Sequence, residues 1–556
     1  MVLDDFININ EDDEGKVEYK WLLTNLTTER LGRLATQMKY RLQEGNGECL
    51  YEIGLKDNGF PEGITQEEFE ETHQNLIKIA ENNHASVKLL QKKKFKNKFL
   101  GEFLIRENPQ NQNYIDLSIL VAGNVDAAKS STIGCLISGK LDNGRGLSRT
   151  QVFNFIHEIE TGRTSSISHQ IMGFNQNGVV NNTLRKLTWP EIVKDSNKII
   201  TFYDLAGHEK YLRTTIYGFS STYSDYAMIM IGANMGVTAM TKEHLALCLT
   251  YKIPFFIVYT KIDIAPQNVY DKIKETVKKL MSSTGVRKII VEIKDIDSAI
   301  LCSKNILSDN IVPTLEISNV TGYHHDLLKD FLNLLPQRKN FSQYKNDPIE
   351  LTIDEKYSVN GVGTIVAGIL RRGTIKLNDN VLIGPDSIGN YLKTQVKSMH
   401  CKRVNVDEVS AGSYVCLNVR KIQKSWVKKG MVILSGNKIP QTVWMFEAEI
   451  NILQSHSTTI KVGYEPNIHV NNLSQVCVIQ SIEKLNGDDK VLRAGDKAYV
   501  RLCFKYRPVY LCEGNRIVFR EGRVRGIGII KNIIVGKRPD ILTREDKRNF
   551  RKSNKN

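Results

Sequence analysis

Residues 115–130 read IDLSILVAGNVDAAKS, and the reading of this stretch decides the fold. A run rich in apolar residues ends on Gly123-Asn124-Val125-Asp126-Ala127-Ala128-Lys129-Ser130-Ser131, where a helical pattern begins. A buried strand, a tight loop and a helix N-terminus in that order form a phosphate cradle. Backbone amides face the anion, a lysine meets its oxygens and a hydroxyl serves a magnesium ion. Lys129 is the expected phosphate lysine and Ser130 the expected magnesium ligand. One position departs from the GxxxxGK[ST] form: Ala128 stands where the second glycine belongs. Its Cβ crowds the phosphates unless the backbone there stays at negative φ. Asp126 offers its carboxylate either to a monovalent cation such as K⁺ or to a hydrogen bond within the loop.

Outward from this stretch the same rhythm recurs in KIITFYDLAG, YAMIMIGA, PFFIVYTKID, KIIVEI and TLEISN. Short apolar runs followed by helical patterns predict buried parallel strands with crossover helices, a doubly wound α/β domain over 115–340. HHDLLKDFLNLL closes it. Three more of the strand ends carry chemistry. Asp204, opening Asp204-Leu205-Ala206-Gly207-His208, is placed to hold Mg²⁺ through water, and the Gly207 amide to reach a γ-phosphate. In Thr260-Lys261-Ile262-Asp263 the carboxylate accepts two hydrogen bonds from a guanine edge and rejects adenine, while the Lys261 stem lies over the base. The amides of Ser318-Asn319-Val320 meet the guanine oxygen. Each motif alone is a common turn. All four in order, each at the C-terminal end of a predicted strand, predict a site for GTP or GDP with Mg²⁺. His208, one step past the glycine, is placed to orient an attacking water. Between the first two motifs, Thr164, Ser165 and Ser166 in GRTSS are the hydroxyls available to a switch that orders around Mg²⁺ when a γ-phosphate is present.

The rest of the chain frames this domain. Its 556 residues carry 76 Lys and Arg against 61 Asp and Glu, a net charge of +15, with 41% apolar residues, an ordinary globular balance of several domains. No apolar stretch reaches the roughly 20 residues that cross a bilayer. The opening MVLDDFININEDDEG lacks the basic flank and apolar core of a signal peptide, so a cytoplasmic location is expected. Nine scattered cysteines without a CxxC pair argue against a disulfide scaffold or zinc ribbon. Residues 1–16 carry six acids and read as a flexible tail. Residues 17–114 read as a small α+β domain. In it ERLGRLATQMKYRL puts Leu31, Leu34, Met38 and Leu42 on one helical face, and Thr65 with Glu68 makes a capping box. From 341 the helical period gives way to strand runs separated by Gly, Asn and Asp. They predict two β-barrels or sandwiches, 341–440 and 441–536, divided near Pro440. The last segment, 537–556, carries eight basic and three acidic residues and reads as a basic flexible tail.

On these residues the chain resembles a translational GTPase of the elongation factor Tu and elongation factor 1 alpha type. More narrowly, KLDNGRGLSRTQVFNFIHEIETGRTSS, DLAGHEKYLRTT, MTKEHLALCL, ISNVTG and VFREGRVRGIG are similar to the GTP-binding protein 1 and 2 family. So is the N-terminal MKYRLQEGNGECLYEIGLKDNG, which general elongation factors lack. The resemblance runs from about residue 18 to 535. It implies a P-loop G domain followed by two β-barrels, GTP hydrolysis with His208 positioning water, and Val125 as part of a hydrophobic gate. It also implies the ribosome and aminoacyl-tRNA as partners, with no membrane and a monomeric chain. By register with the RGIT segment of elongation factors, Arg163 matches Arg and Ser166 the switch Thr, whereas chemistry favours Thr164 equally. Where the family has glycine this chain has Ala128, which leaves a rival reading, a weakly hydrolysing GTP-gated RNA or ribosome adaptor. A regulatory GTPase subunit of a metabolic enzyme is a third reading, against which the N-terminal domain argues. The basic tail and KKKFKNK at 92–98 then become expected contacts to RNA backbone.

Overall fold

In the computed structural model the described residues are 15–536, except 57–58, 109–113, 182–184, 284, 309, 437–439, 441, 453–458, 486–490 and 522. The predicted tails fall outside them, apart from residues 15 and 16 of the first. The N-terminal unit is a four-stranded sheet with two helices. Thr27 caps the helix Thr28–Glu44, which buries Met38 and Leu42. The capping box of Thr65 and Glu68 starts Gln66–Asn82, which buries Phe69, Leu76 and Ala80. The basic stretch 92–98 forms the tip of a hairpin, Ala85–Phe95 with Lys98–Glu107.

An eight-stranded sheet follows, and its order explains the site. Ile115–Gly123 lies in the middle, flanked in parallel by Lys198–Asp204 and Tyr226–Gly232. Phe255–Thr260, Ile311–Glu316 and Ile289–Glu292 extend it, also in parallel. All six predicted strands are therefore present, and their C-terminal ends face one edge. Side chains alternate between two cores: Leu117, Ile119 and Val121 enter one, Leu120 and Ala122 the other. Covering both faces is why these strands are apolar throughout. The far side of Lys198–Asp204 carries an unpredicted antiparallel hairpin, Ser168–Asn175 with Gly178–Val179.

The last two units are β structures. Strands between Glu350 and Ser435 close on themselves, because Asn380–Gly384 pairs with both Val432–Ser435 and Leu392–Cys401. A second closed barrel is built from Val443–Ile452, Asn467–Val470, Leu473–Lys484, Lys497–Phe504, Arg516–Glu521 and Arg523–Val535. Closure leaves no open edge to pair with other chains. All nine cysteines are free thiols, and no helix among the described residues is long and apolar enough to cross a membrane.

Candidate nucleotide-binding site

Four loops at the C-terminal edge of the large sheet enclose a cavity of about 460 Å³, a size that suits a small ligand. The first loop turns sharply out of its strand. Gly123 has φ +151°, and a Cβ there would lie 2.4 Å from the Met230 carbonyl oxygen. Val125, Asp126, Ala128, Lys129, Ser130 and Ser131 line the cavity, whereas Ala127 is buried beneath it. Lys129 donates to the Asn124 carbonyl at 2.7 Å, and burial pulls its pKa down while Asp204 and Asp126 push it up. Ala128 caps the helix Lys129–Ser138 at φ +58° and ψ +24°. The negative φ that would have accommodated its Cβ is not adopted. An L-residue in this left-handed region is strained by roughly 1–2 kcal/mol, because its Cβ crowds the following carbonyl.

Beneath the phosphate end sits a cluster of three residues. The Ser130 hydroxyl donates to Asp204 Oδ2 at 2.5 Å and lies 2.9 Å from the Thr164 hydroxyl. Thr164 itself donates to the same Oδ2 at 3.3 Å. Asp204 is fully buried, and its Oδ1 has no partner among the described residues. Burial raises the Asp204 pKa to about 6, against the opposing pull of Lys129 and the two hydroxyls. A buried carboxylate oxygen without a donor, beside two hydroxyls, is an oxygen set that fits a hard divalent cation.

The two open choices for the switch hydroxyl separate here. Ser166 turns away from the cluster: its hydroxyl donates to Glu158 Oε1 at 3.2 Å and accepts from Asn154 at 3.3 Å. Of the two hydroxyls left open, Thr164 is thus the one that stands with Ser130 and Asp204. Glu158 also accepts from the Ser165 amide at 2.6 Å, the Ser165 hydroxyl at 2.8 Å and the Ser166 amide at 3.0 Å. Burial works to raise its pKa, yet these donors hold it below the usual value.

Gly207 presses on the first loop, so closely that a Cβ would meet Lys129 Nζ at 2.4 Å. His208 follows, half-buried on the cavity wall, and its Nδ1 accepts the Lys210 amide at 3.0 Å. In the neutral ring that bond places the proton on Nε2. At the far end Lys261, at φ +60°, and Asp263 line the cavity with Asn319 and Val320. Thr260 is buried and donates to the Ala127 carbonyl at 3.3 Å, tying this loop to the first. The Asn319 amide donates to the Thr132 hydroxyl at 2.9 Å, and Ser318 is buried, its hydroxyl accepting the Thr321 amide at 3.1 Å. Asn319 thus braces the P-loop helix as well as edging the cavity.

Sequence reasoning missed one wall. Residues 142–149 fold over the cavity because Asp142 accepts amides from Gly144, Gly146 and Ser148 at 3.1, 3.1 and 2.8 Å. Arg145 and Arg149 come with it. The signal available was Asp-Asn-Gly, a turn former, with arginines close behind.

Comparison with known proteins agrees with this geometry. The elongation factor Tu GTP binding domain matches residues 116–337, and elongation factor Tu domain 2 matches 363–434. The chain is 41% identical to GTP-binding protein 1 of Xenopus laevis over 94% of its own length and 80% of that protein. It is 39% identical to human GTP-binding protein 2, covering 94% of this chain and 88% of the relative. The structure of translation elongation factor SelB from Methanococcus maripaludis, in complex with the GTP analogue GppNHp, shares the fold at a TM-score of 0.54 and 19% identity. That match covers 76% of this chain and 80% of the other. Fold, loop order and relatives converge: the chain belongs to the GTP-binding protein 1 and 2 family and is a GTPase of the elongation factor Tu and elongation factor 1 alpha type.

Proposed function

We propose that this GTPase works as a molecular switch on the ribosome, with aminoacyl-tRNA, in elongation or in ribosome rescue and RNA surveillance. The observation that carries the switch is the convergence of Ser130 and Thr164 on Asp204, whose second oxygen lacks a partner among the described residues. In this reading Ser130 and Thr164 hold Mg²⁺, with Asp204 behind them through water. The ion, when bound, neutralises charge on the phosphates. Lys129 leaves the Asn124 carbonyl for phosphate oxygens, and the amides of residues 124–131 cradle them. His208 donates from Nε2 to orient the attacking water, which the neutral tautomer can do without taking a proton. Val125 shares the cavity wall with His208 and is the proposed gate residue. Asp263 reads the guanine edge, Lys261 lies over it, and Ser318, Asn319 and Val320 frame its oxygen. Asp126, exposed at the mouth, is the group offered to K⁺.

The ribosome and tRNA enter from relatives named as elongation factors, including elongation factor 1-alpha of Metallosphaera sedula at 26% identity over 75% of this chain. A cytoplasmic monomer fits that role. The strained Ala128 favours one rival, the weakly hydrolysing adaptor. Displacement of a fluorescent guanine nucleotide tests the site. GTP and GDP should compete and ATP should not, and Asp204→Asn should remove most of the Mg²⁺ dependence. Equal competition by ATP would sink the assignment of Asp263.

A further inference from the structure

Three arginines line the nucleotide cavity outside the four motifs: Arg145, Arg149 and Arg163. Among the described residues none has a carboxylate partner. Of the cavity's three acids, Asp142 spends both oxygens on backbone amides, and Asp126 and Asp263 form no ion pair with these arginines. Cations gathered without counterions around a cavity call for an anionic ligand.

Arg149 is the most firmly held of the three. It lies on the single turn Ser148–Gln151, and its Nη1 donates to the Gly162 carbonyl at 3.2 Å. Two glycines give its guanidinium room. A Cβ on Gly146 would lie 2.5 Å from Nε, and one on Gly162 would lie 2.7 Å from Nη2. Both adopt positive φ, +82° and +65°, where a side chain would also be strained. The guanidinium is thus a flat plate between two turns, with most of its five donors unspent. Gly162 is two residues before Thr164, the hydroxyl that meets Ser130 and Asp204.

We propose that Arg149 binds the phosphate chain of the guanine nucleotide and, through its bond to the Gly162 carbonyl, couples that chain to the segment carrying Thr164. The proposal rests on the guanine-nucleotide reading of the cavity. Only a guanidinium supplies both contacts at once, because its fork presents parallel donors to an anion while another N–H keeps the carbonyl. Lysine would keep the charge and lose the bridge. The chain would then carry its second phosphate cation within itself, beside Lys129.

The test titrates fluorescent GDP and a non-hydrolysable GTP analogue against the full-length protein, Arg149→Ala, Arg149→Lys and Lys129→Ala. Melting of each is followed without nucleotide, and hydrogen exchange of residues 154–168 with and without the analogue. For Arg149→Ala we expect affinity about tenfold lower or more, the size of a lost charged hydrogen bond, with unchanged nucleotide-free melting. Arg149→Lys should recover part of the affinity but not the nucleotide-induced protection of 154–168. Wild-type affinity in Arg149→Ala, with binding lost in Lys129→Ala, would overturn the proposal and leave the nucleotide site standing. A lower nucleotide-free melting temperature in Arg149→Ala would make the residue a loop brace and overturn it too. Failure of the wild type to bind either nucleotide would remove the underlying reading, and this proposal with it.

Discussion

At the scale of single residues, Ala128 and Asp204 are both held in a state that their surroundings impose. Ala128 is held at φ +58°, so Ala128→Gly should relieve strain, offset in part by the greater freedom of glycine in the unfolded chain. The net gain should be up to about 1 kcal/mol, seen as a higher melting temperature, with guanine-nucleotide affinity undiminished. A lower melting temperature would contradict the left-handed assignment. Asp204 acts through pH. Its folded pKa of about 6 lies above its ordinary 3.8, so the folded chain holds a proton that the unfolded chain has released. Stability should therefore fall as pH rises from about 4 to 6, and the difference between wild type and Asp204→Asn should isolate that slope. The types and order of Lys129, Asp204, Asp263 and His208 were legible in the sequence, because the chemistry needs those groups at strand ends. The sign of φ at Ala128 was not, since the strand and helix around it impose that angle. Nor was Thr164 over Ser166, because a two-residue shift in a loop redirects a hydroxyl without altering composition.

Among the elements, the segment that carries Thr164 is gathered on one carboxylate. Glu158 gathers Ser165 and Ser166 by amide and hydroxyl and accepts the Asn154 amide at 3.0 Å, which leaves Thr164 facing Ser130. Glu158→Gln keeps the shape and removes the charge that strengthens these bonds. Amide exchange across 154–168 should rise severalfold, with little change in the strand Ile115–Gly123. Unchanged exchange would show that Glu158 does not hold the segment. The parallel strands were legible because burial on both faces makes them apolar throughout. The antiparallel hairpin at Ser168–Asn175 was not, for SHQIMGFN mixes polar and apolar residues without clean alternation. Its place is fixed by pairing with Lys198–Asp204, a partner distant in sequence.

For the whole molecule, the N-terminal unit is docked on the G domain by a buried charge cluster. Glu48 accepts from Arg106 at 2.9 Å, Lys16 at 3.1 Å and Lys198 at 3.3 Å, and Lys198 also donates to the Asn333 carbonyl at 2.7 Å. Burial alone would raise the Glu48 pKa, but the three cations hold it far below the usual range, while burial lowers Lys198 to about 7. Glu48→Gln leaves those cations uncompensated, at a cost of about 3–5 kcal/mol. The N-terminal unit should then melt in a separate, earlier transition; a single unchanged transition would count against the docking. This cluster was invisible in the sequence because Glu48 and Lys198, its partners on the two units, are 150 positions apart. The proposed switch is a property of the whole chain, a GTPase that the ribosome triggers. Its most direct test is GTP hydrolysis by the wild type and His208→Ala with and without ribosomes, at matched nucleotide occupancy. Ribosomes should stimulate the wild type strongly, while His208→Ala should bind GTP normally and be barely stimulated. Equal turnover of the two proteins in the presence of ribosomes would contradict the proposed switch.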